Sequence, residues 1–139
     1  MTNDSLARSY LRKAQVRLGV LDLLVEQRAH SDVVREAQEL VELALKAMLR
    51  HVGIEPPKWH DVSPILLEHQ DRCPGVAGAE LARLATASTW LRKERELSLY
   101  GDIDFIPTEQ YGGDEAARAI EDARFVFAVA ERVIGGTHS

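Results

Sequence analysis

Val34, Ala37, Val41, Leu45, Met48 and Val52 recur at steps of three and four residues, the period of a helix face and not of a strand. The same period runs through Leu6, Tyr10, Ala14, Leu18, Leu21 and Val25, and again through Ala116, Ile120, Ala123, Phe127, Ala130 and Ile134. A chain that keeps this period nearly throughout has no paired strands to build on and can only bury helix against helix.

Breaks in the pattern divide the helices. Polar residues His30, Ser31 and Asp32 separate the first two, and Gly53 supplies a left-handed stop to the second. The prolines of "EPPKWH" force a loop over 54–60. Ser63 followed by Pro64 reads as an N-cap with proline in the first turn, opening a short helix to about Gln70. After "RCPGVAG" a long helix runs from about Ala77 to Leu99. Residues 100–113, "YGDIDFIPTEQYGG", form the longest irregular stretch, and Asp114 then caps the last helix. The expected fold is all-α: an up-and-down four-helix bundle with an additional short helix and a long loop before the last helix. At 139 residues it forms one domain, 1–139, large enough to bury a core unaided. Connections as long as 100–113 are uncommon in compact bundles and are often functional.

Several function classes are excluded at this level. No apolar run reaches the roughly 18 residues of a membrane span. "MTNDSLARSY" lacks a basic-then-apolar leader pattern, which points to the cytoplasm. A net charge of −5 argues against a general nucleic-acid coat protein while leaving room for a local basic site. With one cysteine, Cys73, there is no intrachain disulfide and no multi-cysteine zinc site. His51, His60 and His69 fit no strong metal-ligand spacing, so no metal and no cofactor are expected. His60-Asp61 lacks an accompanying nucleophile motif and reads first as a loop anchor. Glu42 and Lys46 read as a helix-surface ion pair.

The stretch "TWLRKERELSLYGD", residues 89–102, stands apart. On a helical wheel Arg92, Arg95 and Glu96 continue the sector of Leu81, Leu84, Ser88 and Leu91, with Leu99 among them. Arginines on a core-facing line need partners. Arg92–Glu96 at i,i+4 is one; carboxylates at the bundle end are another. An anion is the third, because the planar guanidinium matches phosphate oxygens in a bidentate way. Arg92, Arg95, Glu96 and Tyr100 are therefore the candidate nucleotide- or RNA-binding residues. Trp90 and Leu97 lie together on roughly the opposite side of the helix and read either as a partner interface or as packing beneath the long loop.

Two long segments, "ARSYLRKAQVRLGVLDLLVEQRAHSDVVREAQELVELALKAMLRHVGIEPPKWHDVSPILLEH" and "LRKERELSLYGDIDFIPTEQYGGDEAARAIEDARFVF", resemble in order and spacing the HEPN family of small helical domains. The first carries an E-x-x-x-K-A-x-L run (Glu42, Lys46, Ala47, Leu49) and a P-K-x-H-D-V loop into a short helix. The resemblance implies a dimer that binds nucleotide or RNA, often paired with a small nucleotidyltransferase in a toxin–antitoxin arrangement. Active members of the family are metal-independent ribonucleases with arginine, four to six residues, then histidine, and dimerisation joins two such motifs in a cleft. Carried onto this chain, the arginine is Arg95 and the histidine position holds Tyr100; counted from Arg92, it holds Leu97, Ser98 or Leu99. Imidazole exchanges a proton near neutral pH, whereas a phenol ordinarily does not. Binding is thus the leading expectation. A ribonuclease with Arg95 and Tyr100 as its catalytic pair, and a pure interaction module, are the alternatives.

Overall fold

The structure, a computed structural model, describes residues 3–58 and 61–135, with only the backbone of Glu96. The chain forms an all-α bundle. Its elements are α1 (Asn3–Glu26), α2 (His30–His51), α3 (Ser63–Glu68), a 3-10 turn (Gln70–Arg72), α4 (Gly78–Leu99), α5 (Pro107–Gln110) and α6 (Gly113–Gly135). No strand occurs among the described residues, and no described helix is long and apolar enough to cross a membrane.

α2 is the central element and packs against α1, α4 and α6. It is buried on most of its circumference, including Val34, Ala37, Val41, Leu45 and Met48, as a helix enclosed on several sides must be. α6 buries Ala116, Ala123, Phe127, Ala130 and Ile134 along its expected stripe. α1 contributes a narrower seam, Ala7, Ala14 and Leu21, at seven-residue intervals. Val25, expected in that stripe, is instead exposed, because α1 is nearly at its end there and the chain is already turning through Arg28 at φ 55°.

Three expectations about helix ends are corrected, and one about the stretch 100–113. Ser63 is the first residue of α3 and not its cap. Asp61 satisfies the helix start, accepting the Ser63 N–H at 3.1 Å and the Ser63 hydroxyl at 2.9 Å. The short helix ends at Glu68 and continues as the 3-10 turn. α6 begins at Gly113, with Glu115 Oε1 accepting the Gly112 N–H, so Asp114 lies within the first turn. The stretch 100–113 is also not irregular throughout. Asp102 and Phe105 exchange two backbone hydrogen bonds at 2.9 Å, and α5 follows directly.

That compact turn depends on Gly101, which has φ +70°; a Cβ there would sit 2.3 Å from the Phe105 carbonyl oxygen and 2.5 Å from Pro107 Cδ. Gly101→Ala should cost about 2 kcal/mol, from the left-handed backbone together with displacement of the turn. Thermal unfolding would read this as a Tm several degrees lower, and an unchanged Tm would mean that the turn relaxes freely. Below the turn, Phe105 meets the Tyr111 ring edge-on at 5.6 Å, and the buried Tyr111 donates its hydroxyl to Glu94 of α4 at 2.6 Å. Burial and the Glu94 carboxylate both push the Tyr111 phenol upward, so it stays a donor. The segment after α4 is thereby strapped back onto α4.

Candidate functional site

The C-terminal third of α4 faces the N-terminal half of α2 across a cavity of about 420 Å³, lined by Arg35, Arg92, Lys93, Arg95, Leu99 and Tyr100. The core stripe of α4 (Leu81, Leu84, Leu91) runs out here. Arg92 is half-buried, and its Nη1 lies 3.3 Å from Glu42 Oε1 on α2. Glu42 is thus engaged across the bundle, and no ion pair joins it to Lys46, contrary to the surface-pair expectation. Arg95, one turn further on, is exposed, so the line of the core stripe ends between the two arginines. Tyr100 is 79% exposed. The Arg92–Glu96 pairing and the role of Glu96 lie outside the described residues, as does His60.

Arg35, which the sequence did not single out, reaches the cavity from the second turn of α2 and also pairs with Glu39. Its signal was a polar line beside the core stripe: Arg35, Gln38 and Glu42 fall at i, i+3 and i+7. Glu39 and Glu42 offset two of the four cations. Lys93 and Arg95 form no ion pair with a described residue, so among the described side chains cations outnumber carboxylates here, within a chain of net charge −5.

A larger cavity, about 700 Å³, lies by His51 at the other end of α2, roughly 24 Å away along the helix. Its cations are committed: Arg132 forks onto Glu80 at 2.8 and 3.0 Å and onto the Gly75 carbonyl, and Arg72 reaches the Val52 carbonyl. It is a weaker anion site than its size suggests.

Asp61 organises α4 just before the arginines. Besides the two donors of Ser63, it accepts the hydroxyls of Ser88 at 2.7 Å and Thr89 at 3.1 Å, the residues one turn ahead of Arg92 and Lys93. Burial pushes its carboxyl up, but the hydrogen bonds from Ser88, Ser63 and Thr89 outweigh this and hold it below the usual range. Trp90 and Leu97 are both half-buried; Trp90 packs on the core, with the Arg118 guanidinium 3.9 Å above its ring. At the positions where a catalytic histidine would fall, Ser98 is buried and donates to the Arg95 carbonyl at 3.0 Å. No described histidine lines the cavity. Among the described residues no three His, Cys, Asp or Glu side chains gather as a metal cluster would.

The profile of the HEPN domain matches residues 7–133, nearly the whole chain. The chain belongs to the HEPN family. No curated protein matches it. Membership attaches the HEPN domain to a family with nucleotide- and RNA-related functions. In this HEPN domain the arginine-bearing end of α4 lines the cationic cavity, and the segment that follows it is tied back to α4 by the Tyr111–Glu94 hydrogen bond.

Proposed function

We propose that this HEPN domain binds a nucleotide or single-stranded RNA in the cavity at the end of α4. The observation that carries the reading is the convergence of Arg35, Arg92, Lys93 and Arg95 on one opening that also presents Leu99 and Tyr100. Guanidinium groups take phosphate oxygens two at a time, and lysine adds a point charge. The exposed Tyr100 ring offers a stacking face, or a hydroxyl for a ribose or phosphate oxygen.

A homodimer belongs to the same reading. Tyr100 at the cavity, with Ile103 (90% exposed) and Ile106 in the segment that follows it, leaves apolar surface that a second copy would cover while bringing its own arginines into a shared cleft. Trp90 and Leu97, being half-buried, would sit at the edge of that interface. The partner expected from the family is a small nucleotidyltransferase, in a cytoplasmic toxin–antitoxin-like pair.

Binding is favoured over cleavage because no imidazole among the described residues reaches the cavity to move a proton. Calorimetry with ATP and with a short RNA should give heat that declines as salt is raised. Heat from neither would favour the interaction-module reading. RNA incubated with the purified protein without metal should stay intact; cleavage abolished by Arg95→Ala would instead establish a ribonuclease. Sedimentation should show a dimer at micromolar concentration, and a monomer there would contradict the shared cleft.

A further inference from the structure

A second cavity, about 490 Å³, lies between α3 and α4, walled by Thr86, Thr89, Trp90 and Lys93 on one side and Pro64 and Leu67 on the other. Both this groove and the cationic cavity fall in the volume range of small-ligand sites, roughly 300–1,000 Å³. Lys93 lines both, so the two openings meet along α4 at that residue. Their chemistry differs. The cationic cavity suits phosphate. The groove has apolar walls, the indole of Trp90 with Arg118 stacked on one of its faces, and the carboxylate of Asp61 at its edge, which repels an anion and tolerates a neutral ring.

We infer that the α3–α4 groove is a nucleobase subsite. It receives the unstacked base of the nucleotide adjoining the one whose phosphate lies among Arg35, Arg92 and Arg95, with Lys93 on the connecting phosphodiester. This rests on the phosphate-binding reading of the cationic cavity. The occupant follows from the juxtaposition: a flat, neutral group must be tied at a short distance to an anion, which is the repeat of a single-stranded polynucleotide. A duplex keeps its bases stacked and cannot fill the groove. An apolar peptide would fill it but gains nothing from the cations across Lys93.

Thr86 is exposed on α4 and its replacement disturbs no core packing, so Thr86→Leu fills the groove without unfolding the chain. The full chain is titrated with tetrauridylate and, separately, with inorganic tripolyphosphate, which carries charge but no base. For the wild type both bind. Thr86→Leu should weaken tetrauridylate about tenfold, the scale of one stacked base, and leave tripolyphosphate unchanged. Leu67→Ala, which removes the opposite wall, should weaken tetrauridylate in the same sense. If Thr86→Leu leaves tetrauridylate affinity at the wild-type value while tripolyphosphate still binds, the groove is not a base site and the phosphate cavity stands. If the wild type binds neither probe, the cavity reading fails and the subsite fails with it.

Discussion

The double substitution Arg92→Ala/Arg95→Ala is expected to weaken short single-stranded RNA by at least about 100-fold at moderate salt. Each charge-assisted guanidinium–phosphate hydrogen bond contributes about 1.5–3 kcal/mol, and two such groups are removed. The dependence of log K on log salt should also flatten by about 0.7 for each phosphate that is no longer neutralised. Fluorescence anisotropy across a salt series reads both effects. The two arginines are not equivalent. Arg95 is exposed without an ion pair to a described residue, so Arg95→Ala alone should lower affinity at constant Tm. Arg92 is half-buried against Glu42, so Arg92→Ala also leaves that carboxylate without its α4 cation. Combining Arg92→Ala with Glu42→Gln should recover stability but not affinity, which separates the structural role of Arg92 from its ligand role. Unchanged RNA affinity in the double variant would remove the site from this end of the bundle.

The second large effect is on stability. Asp61→Ala deletes the acceptor for two donors of Ser63 and the hydroxyls of Ser88 and Thr89, and Ser88 is buried. The expected cost is about 3 kcal/mol, of which part is the desolvated Ser88 hydroxyl left unpaired. For a domain of this length that lowers Tm by about 10 °C. Because the carboxyl is held below its ordinary value of 3.8 in the folded protein, its stabilisation is complete above that pH. It is lost as pH falls from there through the folded-state value. The difference in unfolding free energy between wild type and Asp61→Ala should therefore be constant near neutrality and shrink under acid. A difference that instead grew under acid would contradict the hydrogen-bonded carboxylate.

What the sequence disclosed and what it hid follow from the range of the interactions. The stripes of α2 and α6 were legible because a buried helix face repeats locally. Gly53 was legible as a stop for the same reason, and its φ of +83° agrees. Arg92, Arg95 and Tyr100 stood out together and do line one cavity, since one helix end carries all three. Arg35 stayed hidden because it comes from another helix and only the α2–α4 packing brings it there. Asp61 read as the neighbour of His60, and its bonds to Ser88 and Thr89 depend on how α3 docks against α4. The 100–113 segment looked irregular because its order comes from interactions the local pattern does not carry: the close approach at Gly101, and the Tyr111 hydroxyl on Glu94. Trp90 and Leu97 do lie off the core stripe, but Arg118 covers the indole.

On the proposed reading, the end of α4, and not the larger cavity by His51, is where this HEPN domain meets its anionic ligand. Amide chemical-shift mapping during titration with a short single-stranded RNA tests it directly. Shifts should centre on Arg35 and on residues 92–100, with Arg72, Gly75 and Arg132 unmoved. Shifts centred on His51, Arg72 and Arg132, with 92–100 silent, would contradict it.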